Sequence, residues 1–148
     1  MGSIVLPASG LVCVDTQVLI YTIENHPKYA PILDPFWEAV EDKSIDAVAS
    51  ELSLMEVLVM PIRAGDVALQ IEYQKAIQGS DLQVRPITGQ ILLEAARLRA
   101  AIPALRTPDA IHAATGLLSG CVMFLTNDTG FRRIPGLPLI LLDDVLAS

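Results

Sequence analysis

A chain of 148 residues, 52% hydrophobic and 18% charged, has the length and composition of one globular unit, not of a disordered or low-complexity segment. A formal charge of −7 argues against a broad basic surface for nucleic acid, unless the few cations are concentrated beside one site. The longest apolar stretch, Ala113 to Leu125, is broken by Gly116, Ser119 and Gly120 and falls short of the roughly 20 residues of a membrane helix, so no bilayer span is expected.

Gly10 to Asp15 is an apolar, β-branched run that stops at a carboxylate, which predicts a buried strand ending at Asp15. Thr16 to Asn25 follows as a helix, closed by His26-Pro27, and a second helix is predicted over Pro31 to Glu41. Ser44 to Ala49 alternates as a strand. The period then changes: Leu52, Met55, Leu58 and Val59 recur at helical steps, so a helix carries Glu56 until Pro61 disturbs it. Asp66 to Gln78 reads as a further amphipathic helix.

Leu82 to Ile87 is a short strand, after which Thr88 caps a helix through Ala101. Thr107-Pro108-Asp109 predicts a helix start, with a capping hydroxyl, a proline at the first position and an acid in the first turn; Gly120 ends that helix. Cys121 to Leu125 is a buried strand, Thr126-Asn127-Asp128 the loop after it, and Leu137 to Leu142 the last strand. Cys13 and Cys121 sit in apolar runs without zinc or redox spacing and are expected as buried free thiols. The alternation predicts an α/β fold, a single domain over 1–148 with a mainly parallel sheet covered by helices on both faces.

In an open parallel sheet the functional crevice lies outside the carboxyl ends of the strands, and Asp15 and Asp128 both fall there. Asp109, in the first turn of the helix that leads into the Cys121 strand, is a third candidate. Clustered carboxylates raise one another's pKa unless a cation is present. All-oxygen ligands select a hard ion, Mg²⁺ or Mn²⁺, and the natural chemistry of such a site is phosphodiester hydrolysis. Each acid also has a structural explanation: Asp15 as a helix cap, Glu56 in a Ser53-x-x-Glu56 capping box, Asp109 at any helix start, and Asp128 as a turn residue.

Four segments follow in chain order: Val14-Asp15-Thr16 with Val18-Leu19-Ile20; Ser50 to Leu58; Thr107 to Thr115; and Phe124 to Asp128 with Phe131. Together they resemble the signatures of PIN domains of the VapC toxin type. The resemblance runs from Val12 to about Leu142 and fills all four acidic positions. It implies a three-layer α/β/α sandwich and a Mg²⁺- or Mn²⁺-dependent endoribonuclease acting on single-stranded RNA, paired as a toxin with a cognate antitoxin. By matching position, Asp15, Glu56, Asp109 and Asp128 are the metal-site and catalytic acids, and Thr126 and Asn127 line the pocket. Asp15 and Asp109 are expected to hold the principal ion, Asp128 to complete the site, and Glu56 to orient the attacking water or a second ion.

Arg106, Arg132 and Arg133 neighbour these acids and become candidates for RNA phosphates, against their reading as ordinary surface arginines. His112, one turn after Asp109, is expected as a packed or hydrogen-bonded histidine and not as a general base. The mean hydropathy of +0.49 is compatible with an apolar groove for an antitoxin helix and with a homodimer. The absence of a basic segment or sustained apolar core at the amino terminus makes a cytoplasmic location the default. A catalytically silent PIN module binding RNA or protein is the alternative. A haloacid-type phosphatase would need an acid where Gln17 stands, and a receiver domain a mid-chain phospho-accepting Asp at a strand end.

Overall fold

The computed structural model describes residues 2–148; Met1, the first residue of the expected unit, lies outside the described residues. At its centre is β1 (Leu11–Val14), whose Val12, Cys13 and Val14 are at most 1% exposed. On one side it pairs in parallel with β2 (Asp46–Ser50), on the other with β4 (Met123–Thr126). β3 (Gln83–Arg85) and β5 (Leu139–Leu141) close the edges, giving the order β3-β2-β1-β4-β5 with every neighbouring pair parallel.

Strand alternation sends successive side chains to opposite faces, and the two faces build separate apolar layers. Val12, Val14, Ala47, Ala49, Met123 and Leu125 join the layer that is packed by α1 (Thr16–Ile23), α2 (Ala30–Glu41), α3 (Leu52–Ala64) and α4 (Val67–Gln78). Cys13 and Phe124 join the other, packed by α5 (Gly89–Ala101) and α6 (Thr107–Ser119). Helices on both faces of a parallel sheet are the three-layer α/β/α arrangement expected from the sequence. Burying each large aliphatic side chain contributes about 1.5–3 kcal/mol, which is why both faces of the central strands are apolar.

Several local expectations shift. Pro61 does not end α3, which runs on to Ala64: only one backbone donor is lost, and the last turn is closed by the amides of Gly65 and Asp66 on the carbonyls of Ile62 and Pro61 (3.1 and 2.9 Å). Gly65 takes the left-handed conformation (φ 66°) that this stop requires. The run Leu137 to Leu142, read as one strand, keeps only Leu139–Leu141 as β5 and gives Leu142 to α7 (Leu142–Ala147), with Asp143 and Asp144 in the first helical turn. A 3₁₀ turn at Thr129–Arg133 occupies what reads as loop. Cys13 is buried and Cys121 half-buried, both as free thiols.

Gly116 is where α6 meets the sheet. A Cβ there would stand 2.9 Å from Phe124 Cδ2 and 3.3 Å from Cys121 Sγ, so the helix lies closer to β4 than any side chain would permit.

Candidate metal centre

Asp15 follows the last residue of β1 and caps α1, its extended backbone (φ −85°, ψ 176°) turning the chain while Oδ1 accepts from the Val18 amide at 3.2 Å. The cap and site readings of this residue therefore coincide. Its other oxygen, Oδ2, accepts from the hydroxyl of Thr126, the last residue of β4, and Thr126 Oγ1 accepts in turn from the Asp128 amide at 3.0 Å. The Asp15 amide donates to Leu125 O at 3.2 Å, locking the two strand ends together. Asp15 is 4% exposed, and burial pushes its carboxyl up to about 6 against donation from Thr126 and Val18 and the pull of His112; the nearby Asp128 adds to the rise.

Glu56 projects from the second turn of α3. It is not part of a capping box, because α3 starts at Leu52 and places Ser53 inside the helix. Instead Glu56 Oε1 accepts from Thr16 Oγ1 and from His112 Nε2, each at 2.6 Å. Thr16 Oγ1 also lies 3.0 Å from Ser53 Oγ and 3.3 Å from His112 Nε2. Burial works to raise the Glu56 pKa, but the donors His112 and Thr16 outweigh it, with help from the charge of Arg106, and hold the carboxyl below its ordinary value. His112 is 3% exposed, as expected of a packed histidine, and its Nδ1 has no partner.

Asp109 stands in the first turn of α6. The cap of that helix is Arg106, whose backbone is extended (φ −76°, ψ 153°), while Thr107 is already helical and its hydroxyl accepts from Arg99 Nη1 at 2.9 Å. Arg106 Nε donates to Asp109 Oδ2 at 3.1 Å, and its Nη2 lies 3.5 Å from both Asp109 Oδ1 and Asp128 Oδ2. Asp128 Oδ1 accepts from the Gly130 amide at 2.8 Å, which starts the 3₁₀ turn, so its turn and site readings also coincide. Arg106, Asp109, Asp128 and Arg133 share the lining of a cavity of about 390 Å³.

The four acids are thus joined, though not in direct contact: Asp15 to Asp128 through Thr126, Asp128 to Asp109 through Arg106, and Glu56 to the Asp15 turn through Thr16 and to α6 through His112. Among the described residues no three carboxylate, imidazole or thiol groups converge closely enough to hold an ion as the side chains stand. The donor set nonetheless fits a hard dication: it offers carboxylates, and a cationic guanidinium already lies between two of them.

Two candidates face elsewhere. Asn127 donates to Tyr21 Oη at 3.4 Å and accepts from the Asp143 amide at 2.9 Å, tying β4 to α1 and α7. Arg132 pairs with Asp144 through Nη2 at 2.9 and 3.0 Å. Sequence reasoning did not count Thr16 among the site residues and read Ser53 only as the start of a capping box; the adjacency of Thr16 to Asp15, on the first turn of a helix, is the signal that points to it.

Residues 12–137 match the model of the PIN domain, and the chain belongs to that family. Among solved structures it is similar to VapBC2 from Rickettsia felis, bound to a DNA fragment from its promoter (TM-score 0.72, 16% identity, covering 88% of this chain and 98% of that one). VapBC-1 from nontypeable Haemophilus influenzae gives 0.70 at 18% identity, covering 90% and 98%. DNA-bound VapBC from Salmonella typhimurium gives 0.67 at 22%, covering 88% and 97%. No curated protein sequence matches the chain.

Proposed function

We propose that this PIN domain, occupying 1–148 as one unit, is a Mg²⁺- or Mn²⁺-dependent endoribonuclease for single-stranded RNA and the toxin of a toxin–antitoxin pair. The observation that carries the reading is the linked set of strand-end and helix-start acids, in which a buried carboxylate is held up to about 6 by desolvation and a cation bridges two others. Asp15, Asp109 and Asp128 are the oxygen ligands in this reading. When bound, the dication supplies Lewis acidity toward the phosphodiester and its attacking water. Both Glu56 hydrogen bonds fall on Oε1, so Oε2 is the atom available to orient that water and take its proton. Thr126 fixes the rotamer of Asp15, and Arg106 and Arg133 are the cations nearest to a phosphate.

The VapBC structures it resembles support an antitoxin partner. An apolar cleft between α1, α2 and α4, lined by Leu19, Ile23, Trp37 and Leu82 with a volume of about 160 Å³, fits an apolar antitoxin segment. Exposed Met55, Val59 and Ile62 on α3 form a stripe suited to a second copy of the chain. Among the described residues no helix is long and apolar enough to cross a membrane, and we assign the activity to the cytoplasm, with its RNA.

The purified protein is expected to cleave single-stranded RNA with Mn²⁺ or Mg²⁺, and Asp15→Asn and Asp109→Asn to abolish cleavage. Cleavage undiminished in both variants refutes the assignment.

A further inference from the structure

Resting on the metal-site reading above, we propose that Arg106 is the resident cation of the centre: it neutralises Asp109 and Asp128 until a dication displaces it, and the released guanidinium then takes an RNA phosphate. The geometry carries this in three respects. First, one guanidinium serves both carboxylates, occupying the space between them that a shared ion needs. Second, the backbone at Arg106 is pinned, since Arg99 donates from Nε to Leu105 O at 3.0 Å and the Ala110 amide donates to Arg106 O at 3.0 Å, while Arg99 Nη1 also holds the Thr107 side-chain hydroxyl at 2.9 Å. What can move is the long side chain, and that side chain is 71% exposed.

Third, the carboxylates keep their places without it. Asp128 Oδ1 is fixed by the Gly130 amide, and Asp109 lies at the amino-terminal end of α6, where the helix field favours an anion. With the guanidinium 71% exposed and only the carboxylates partly sheltered, the ion pair is screened by water, so breaking it costs little and is repaid by the stronger attraction of two positive charges. The swap also couples two events. A guanidinium held by aspartates does not reach phosphate, whereas one expelled by the metal stays within a side chain's length of the cavity shared with Arg133.

The test is Mn²⁺ binding by isothermal titration calorimetry, metal alone, on the full chain and on Arg106→Gln and Arg133→Gln. Arg133→Gln removes the same charge from the same cavity without vacating the ion pair. Arg106→Gln should bind Mn²⁺ about five- to tenfold tighter, and Arg133→Gln less than twofold. With a non-cleavable 2′-O-methyl oligonucleotide, wild type and Arg106→Gln should bind equally without metal, and wild type several-fold tighter with Mn²⁺. Equal Mn²⁺ affinity in wild type and Arg106→Gln, or equal gains in the two variants, overturns the exchange while leaving the metal centre in place. Absence of Mn²⁺ binding in every protein removes the metal centre and this inference with it.

Discussion

Asp15→Asn separates what the buried carboxylate does for the site from what it costs the fold. In the folded chain its pKa stands at about 6, against an ordinary 3.8, chiefly because burial disfavours the anion. At about 1.4 kcal/mol per pH unit, this corresponds to a penalty on the order of 3 kcal/mol once the group is ionised. Below about pH 4 the proton is bound in both states and the penalty is absent. Between about 4 and 6 the folded state keeps a proton that the unfolded state has released, so this group's contribution to stability falls as pH rises. Above 6 the loss is complete. Asparagine keeps an oxygen for the Val18 amide and presents an NH₂ to Thr126 Oγ1, so the contacts survive without the charge. In a chelator at pH 7.5 the variant should melt several degrees higher than wild type, at about 2–4 °C per kcal/mol for a chain of this size. The difference should vanish near pH 4, and Mn²⁺ should stabilise wild type more than the variant. An Asp15→Asn protein that melts lower than wild type at pH 7.5, or whose advantage does not shrink on acidification, refutes the reasoning.

Further outcomes follow from other contacts. Thr16→Val removes a 2.6 Å donor to the Glu56 carboxylate and should lower stability by about 1.5–3 kcal/mol in urea melts at pH 7, with little loss at a pH where Glu56 is protonated. Gly116→Val drives a branched side chain into Phe124 and should cost about 2–3 kcal/mol by the same measurement, whereas Gly136→Val, with open space around its Cβ but a left-handed φ of 78°, reports backbone strain alone. RNA affinity should depend only weakly on salt, with a log–log slope of about −1 to −2, because Arg106 and Arg133 are the cations lining the cavity. A slope near that of a broad basic surface contradicts this placement of the RNA.

The elements most legible in the sequence are those whose burial dictates their composition. β1 reads as an apolar β-branched run and β4 as an apolar one because both of their faces are covered, and Asp15 and Asp128 read as site candidates because they fall just outside the carboxyl ends of those runs. Asp109 was legible through its helix start, though the cap itself falls one residue earlier, because the extended backbone ends at Arg106 and Thr107 is already in the helix. The Thr16–Glu56–His112 cluster joins three helices far apart in sequence, so no local pattern announces it. The same applies to Arg106, whose bridging depends on the direction of a side chain, and to Asn127 and Arg132, drawn away by partners on α7. α7 was hidden because one unbroken apolar run serves first as strand and then as helix, with the change of period falling at Leu142.

Since β1 is sandwiched between β2 and β4, the first strand to emerge during translation waits for one of the last. Asp15 gains its hydroxyl donor only when Thr126, 111 positions further on, has been added. Any nascent or prematurely terminated polypeptide that stops short of β4 therefore lacks the wall against which its earliest acid is seated. For a nuclease of the proposed kind, made amid the transcripts of its own host, the winding of the sheet delays competence until β4 has been synthesised, and two fragments parted between α4 and β3 should each be inert until they are mixed.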